Sequence, residues 1–290
     1  MYRIFPKTSE TLDGLDKYEK IIEKHHGLEI QFFEHSGRLE TFYFRKVARR
    51  VKEIYPALEE ITIHPPLDGH DIEMMLLKDK NMFYDEVKQA VKVSKELNVH
   101  INLLYHTWIP YADMVQTLDP YINEGLKIIG DSNVTLLLEN TYQIGDGLVN
   151  VLRYAEHIDD PRLKVCYDTC HGYICSHIWN EDNDTYFKKY LDRNLCREYV
   201  KQVHFSYTRN NDGFKDHSTH GRKHDSEESM RYDLNLLDQY GMGDKIIVTE
   251  VDEDDSNYMA RSCQLSDLRM LYNIDGQEWI DEKGKEDYNV

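Results

Sequence analysis

Six residues with metal-binding side chains stand at the ends of successive apolar runs. His64 follows Ile61-Thr62-Ile63, His106 closes the run from Ile101, and Glu139 follows Leu136-Leu137-Leu138. Asp168 follows Val165-Cys166-Tyr167, His204 follows Val203, and Glu250 ends the run from Ile246. His171 lies three residues beyond Asp168. One histidine or glutamate at such a place reads as a structural group or a buried ion-pair partner. Six in order are different, because burying that many ionisable groups together is costly unless cations compensate them. Neutral imidazoles and carboxylates are the ligand set of Zn2+, Mn2+ or Fe. Glu139 falls in the middle, with His64 and His106 before it and Asp168, His204 and Glu250 after it. That division suits a carboxylate bridging two metals, the arrangement that clamps both oxygens of a phosphoryl displacement. Asp216, His217, His220, His224 and Asp225 form a further cluster. It reads either as a solvated loop or, with His171, as a third metal position.

Something must bring these positions to one place. Apolar runs predict strands at Tyr2–Phe5, Leu28–Phe33, Ile61–His64, Ile101–His106, Val134–Glu139, Val165–Asp168, Val203–Phe205 and Ile246–Glu250. Helical spacing occupies segments between them, among them Phe83–Leu97, Met114–Ile129, Leu148–Ile158 and Met230–Tyr240. Eight strands separated by helices predict a (β/α)8 TIM barrel, whose strand ends converge on one catalytic face. An open doubly wound sheet is the competing architecture, but no glycine-rich phosphate turn follows the first strand. The 290 residues fit one barrel domain spanning 1–290, with Asn180–Asn194 as a polar insertion and a charged tail at about 281–290.

Composition narrows the function classes. A formal charge of −18 disfavours a non-specific nucleic-acid coat, though not an enzyme that meets DNA through local cations. No apolar run approaches the roughly 18 residues a membrane span needs, and Met1–Pro6 has no signal-peptide core. A cytoplasmic protein is expected, with its five cysteines as reduced thiols. Tyr105, Trp108, Tyr142, Tyr167, Tyr173, Trp179 and Tyr207 lie near proposed strand ends, where they could stack on a base or sugar or simply line a pocket.

Val165-Cys166-Tyr167-Asp168-Thr169-Cys170-His171 resembles a signature of the endonuclease IV family of apurinic/apyrimidinic endonucleases. Leu138-Glu139-Asn140-Thr141, with Gly145 and Gly147, resembles that family's bridging-glutamate motif. His204, and Glu250 within Ile247-Val248-Thr249-Glu250, continue the match in order from about His64 to Glu250. The resemblance implies a xylose-isomerase-like TIM barrel with two or three metals, most simply Zn2+, with Mn2+ or Fe as alternatives. It implies that His64, His106 and Glu139 hold one ion, and Glu139, Asp168, His204 and Glu250 a second. His171, Asp216 and His217 would hold the third, with His220 as the alternate. Four features depart from the family, the first being that Asp216 and His217 are adjacent where the family separates its Asp and His by one residue. Met1–Ser9 lacks its glycine-and-histidine strand, Pro65-Pro66-Leu67 replaces its DNA-penetrating residues, and Phe205-Ser206-Tyr207 follows His204 in place of an Asn-Asp pair.

Two reaction classes follow. A phosphodiesterase acting on abasic or damaged DNA would use Glu139 to orient or deprotonate the attacking water. A sugar isomerase or epimerase, as found elsewhere in the superfamily, would hold one metal through Glu139, Asp168, His204 and Glu250. Glu139 and Glu250 would then move a proton on opposite faces of an enediolate. His64, His106 and His171 favour the first class.

Overall fold

The computed structural model describes residues 2–12, 15–32, 41–64, 71–141, 147–178, 183–206, 224–250 and 261–276. Among the described residues all strand pairings are parallel. The chain enters through β1 (Arg3–Phe5) and β2 (Lys7–Ser9), then α1 (Glu19–His25), β3 (Gly27–Gln31), α2 (Thr41–Ile54), β4 (Glu60–His64) and α3 (Ile72–Leu97). Next come β5 (His100–His106), α4 (Tyr111–Ile129), β6 (Val134–Glu139), α5 (Gly147–Ile158), β7 (Leu163–Asp168) and α6 (Thr169–Ile178). Then follow α7 (Asn183–Tyr190), α8 (Arg193–Tyr199), β8 (Val200–Phe205), α9 (Glu227–Gln239), β9 (Ile246–Thr249) and α10 (Arg261–Ile274).

The sheet order is β1-β9-β8-β7-β6-β5-β4-β3-β2. Its two outer strands are successive pieces of one chain, divided at Pro6. Arg3–Phe5 pair with Ile246–Val248, and Lys7–Ser9 pair with Glu29–Gln31. Pro6 has no N–H to give either ladder, but its carbonyl accepts from Glu29 N at 2.9 Å. The first strand thus passes from one neighbour to the other at Pro6, and the sheet rolls into a TIM barrel. The expected first strand, Tyr2–Phe5, is therefore too short.

Alternation along the strands sorts the interior from the helix-facing layer. Ile61, Ile63, Leu103, Tyr105, Leu136, Leu138, Val165, Tyr167, Val203 and Phe205 join helix residues in one large apolar core. The residues of opposite parity form separate groups: Leu104 with Leu137 and Cys166, and Phe5 with Ile246 and Val248. Thr62, Asn102 and Gln202 share that parity and are joined by hydrogen bonds of 2.7 and 3.1 Å. This parity carries His64, His106, Glu139, Asp168, His204 and Glu250 to the interior at one end of the barrel.

Other boundaries differ from expectation. α3 begins at Ile72 and continues past Asp79, whose φ of −160° and ψ of 103° interrupt the helix before the periodic stretch at Phe83. The polar segment at Asn180–Asn194 is helical in its described part, with Asp192 capping α8 through Asn194 N and Leu195 N. Among the described residues no helix is long and apolar enough to cross a membrane. The tail at 281–290 lies outside the described residues.

Candidate metal centre

Strand register sets the polar ends side by side. Gln31 pairs with His64, His106 with Glu139, and Asp168 with His204. The residues after each end then stitch the strands together. Asn140 is fully buried; its side-chain Nδ2 donates to the Asp168 carbonyl at 3.0 Å, and its Oδ1 accepts from Asp168 N at 2.7 Å. Thr141 Oγ1 donates to the Thr107 carbonyl at 3.0 Å. The Glu-Asn-Thr sequence thus aims one residue inward and uses two to fasten neighbouring segments. Asp168 Oδ1 accepts from His171 N at 2.6 Å, as an N-cap does from the third residue of its helix. That explains the Asp-to-His spacing: the aspartate starts α6, and the helix's first turn returns His171 to the cluster.

Glu139 is the centre of the arrangement. Its Oε1 lies 3.3 Å from His106 Nε2 and 3.5 Å from His171 Nδ1, and its Oε2 lies 3.3 Å from His204 Nδ1. His204 Nδ1 is also 2.5 Å from Glu250 Oε2. The His64 ring stacks on His204 at 5.9 Å and meets His106 edge-on at 5.5 Å. Two overlapping groups offer ligand atoms within 4.8 Å of one another: His64, Glu139 and His204, and Glu139, Asp168, His204 and Glu250.

Electrostatics bind this cluster tightly. Burial would raise the Glu139 carboxyl, but His106 and His204 beside it hold it well below the usual range. Burial opposes the charged form of His171, yet Asp168 and Glu139 outweigh it and carry the imidazole to about 9. Burial likewise opposes charge on His204, and Cys166, Glu250, Glu29 and Glu139 together push it well above its ordinary value. Oε2 of Glu139, Nδ1 of His204 and Oε2 of Glu250 are buried without a hydrogen bond of good geometry, although the nitrogen lies close to both oxygens. Imidazole nitrogens and carboxylate oxygens gathered this way, and not satisfied by each other's angles, fit a divalent cation.

Two residues of the centre were not singled out from the sequence. Lys7 Nζ lies 2.5 Å from Glu250 Oε1 and 3.0 Å from Glu29 Oε1. Burial disfavours the ammonium, but Glu250 and Glu29 outweigh it and raise its pKa. Glu29 Oε2 accepts from His204 Nε2 at 2.9 Å and from Gln202 Nε2 at 2.8 Å. A charge inside the apolar run from Leu28 was the available signal for Glu29. Lys7, beyond the break at Pro6, gave none.

Asp216, His217 and the alternate His220 lie outside the described residues, as do Tyr142, Trp179 and Tyr207. His224 is engaged elsewhere: its Nδ1 pairs with Asp267 at 2.8 Å, its Nε2 with Asp233 at 3.3 Å, and its ring stacks on Phe205. Strand parity also removes Tyr105 and Tyr167 from the pocket. Both are buried in the helix-facing core, Tyr105 donating to Glu86 Oε2 at 2.8 Å.

A family model described as a xylose isomerase-like TIM barrel matches residues 22–256. The chain belongs to that family. A protein of Phocaeicola vulgatus named probable endonuclease 4 is 28% identical over 166 residues, which cover 54% of this chain and 56% of that protein. The chain spans about half the length of the curated relatives it matches. Among solved structures of the same fold, the IOLI protein with a binding zinc atom superposes with a TM-score of 0.60 at 12% identity, covering 93% of this chain and 97% of that one. A D-tagatose 3-epimerase-like protein superposes with a TM-score of 0.56 at 16% identity, covering 94% and 98%.

Proposed function

We propose that this xylose isomerase-like barrel is a metal-dependent phosphodiesterase resembling endonuclease IV, cleaving DNA at abasic or damaged nucleotides. The observation that carries the reading is that Glu139 belongs to both ligand groups, which also share His204, and that His106 Nε2 lies 3.3 Å from its Oε1. His64 and His106 would share one ion with Glu139; Asp168, His204 and Glu250 would share a second with it. His171, with Asp216 and His217 or the alternate His220, would hold a third. Zn2+ is the favoured metal, and Mn2+ or Fe would suit the same donors. Bound there, such ions supply Lewis acidity toward a phosphate and lower the pKa of water. Glu139 would orient the attacking water or accept its proton. The whole chain is taken as one barrel domain.

Charge balance supports more than one ion. Glu29, Glu139, Asp168 and Glu250 against the Lys7 ammonium leave three negative charges when the histidines are neutral. One divalent ion leaves the centre negative and repels a phosphodiester. Two leave it positive. The weak endonuclease 4 relationship agrees with this reading.

A second reading is a single-metal sugar isomerase or epimerase, in which Glu139 and Glu250 exchange the substrate proton. It is favoured by the four-residue group at Glu139, Asp168, His204 and Glu250, which needs no further histidine. Elemental analysis of protein purified without chelators separates the two. Two or three metals per chain, with cleavage of a duplex carrying one abasic site, is the expected result. One metal, with interconversion within a panel of ketoses and aldoses and no strand cleavage, would establish the second reading.

A further inference from the structure

Lys7 and Glu29 touch the cluster from outside, and their contacts are selective atom by atom. Lys7 occupies Oε1 of Glu250 at 2.5 Å, while Oε2 of the same carboxylate is the atom beside His204 Nδ1. Glu29 Oε2 accepts from His204 Nε2 at 2.9 Å, while Nδ1 is the atom facing Glu139 and Glu250. Glu29 Oε1 lies 3.0 Å from Lys7, so one glutamate ties the lysine to the histidine. Glu29 and His204 are fully buried and the Lys7 side chain keeps only 13% of its surface exposed, so bulk water competes little for the Glu29–His204 pair. Glu29 is fastened in turn by Gln202, whose Oε1 accepts from Thr62 at 2.7 Å, and Thr62 accepts from Asn102.

We infer that Lys7 and Glu29 are positioning residues that fix which atoms of Glu250 and His204 are offered to a cation. Lys7 reserves Glu250 Oε1, so the carboxylate presents a single oxygen. Glu29 holds the proton of His204 on Nε2, so the ring presents Nδ1. A carboxylate behind a ligating imidazole orients the ring and raises its basicity, and losing such a partner typically costs about 10–100-fold in metal affinity. Lys7 acts in a different sense. As a cation it does not strengthen metal binding; it sets the number of oxygens available. Lys7→Met and Glu29→Gln therefore have different signatures.

The inference rests on the metal-centre reading, and the tests separate the two. Far-UV circular dichroism verifies that each variant is folded. Zn2+ titration by calorimetry of Glu29→Gln should show affinity lower by about 10–100-fold than wild type. The visible ligand-field bands of Co2+-loaded Lys7→Met should weaken severalfold as Glu250 gains a second ligand oxygen, and Lys7→Arg should retain the wild-type spectrum. Nitrogen-15 NMR of the Zn2+-loaded wild type requires no variant and should place the His204 proton on Nε2. Unchanged Zn2+ affinity in Glu29→Gln, a Co2+ spectrum of Lys7→Met superimposable on wild type, or a His204 proton on Nδ1 would each overturn the inference while leaving the metal centre in place. Wild-type protein that binds neither Zn2+ nor Co2+ would overturn both.

Discussion

Replacing Asn140 by alanine tests the scaffold behind the metal centre. Its side chain closes two hydrogen bonds on the backbone of Asp168, one to the carbonyl at 3.0 Å and one from the N–H at 2.7 Å. Asn140 is fully buried and Asp168 nearly so, so bulk water does not replace either bond. Leaving one buried polar group unsatisfied costs about 1–3 kcal/mol, so two give about 2–6 kcal/mol. A water entering the vacated space would bring the value toward the lower end. Asn140→Asp is a sharper companion. It keeps an acceptor for the Asp168 N–H but sets a carboxylate oxygen against the Asp168 carbonyl, so it should lose as much or more. The assay is urea unfolding of the metal-free protein, where ligand linkage contributes nothing. A loss below about 1 kcal/mol for Asn140→Ala would refute the assignment of Asn140 as the clamp between β6 and β7.

Glu139→Gln should abolish activity and lower metal stoichiometry, whereas His220→Ala should weaken activity only partly, as measured by elemental analysis and strand-cleavage rate. Equal, small losses would count against Glu139 as the shared ligand. Gly27→Ala would place a Cβ 2.0 Å from the Phe5 ring, and should destabilise the barrel by about 1–3 kcal/mol in urea unfolding. Phe5→Leu in the same chain should recover part of that loss. Glu60 tests the opposite end of the interior. Burial would raise its carboxyl, but Lys201, Asn102 and Arg3 together hold it at about 2. Its stabilising contribution is therefore present above pH 4.5 and is lost as pH falls toward 2. The full linkage is worth about 3 kcal/mol, less for the pair as a whole because burial pushes the Lys201 ammonium down. Urea midpoints should fall more steeply across that window in wild type than in Glu60→Gln; parallel slopes would remove the ion pair from the account.

The barrel was readable because its strands are short apolar runs separated by amphipathic helices, and because every parallel pair needs a crossover. What the runs did not show was how the ring closes. Arg3–Phe5 and Lys7–Ser9 are each three residues long, and the second is the polar Lys-Thr-Ser. Its pairing with β3 comes from chain continuity across Pro6, a tertiary effect that composition does not report. The start of α3 was missed for a related reason. Its first turns precede the irregular Asp79, so the helical period restarts at about Phe83.

The centre was legible to the extent that strand parity determines it. A residue at the end of a run, two or four positions from interior residues, must face inward, and this holds for His64, His106, Glu139 and Asp168 alike. The same rule, applied to Tyr105 and Tyr167, excludes them, because each stands one position before an inward residue. Proximity along the chain was a poorer guide. His224 follows the histidine-rich segment in sequence, yet two aspartates from α9 and α10 claim both its nitrogens. Lys7 and Glu29 show the limit from the other side. Their role depends on which carboxylate oxygen faces which partner, and no spacing rule encodes that choice. These two residues nonetheless leave intact the charge argument that separates the reaction classes. Glu29 adds a negative charge and Lys7 cancels one, so together they leave the sum over the cluster unchanged. The added cation sits on Glu250 Oε1 and the added carboxylate on His204 Nε2, and the two pair with each other at 3.0 Å. The uncompensated negative charge is therefore that of Glu139, Asp168 and Glu250, the three carboxylates gathered at His204, which is the charge a cation bound there would meet.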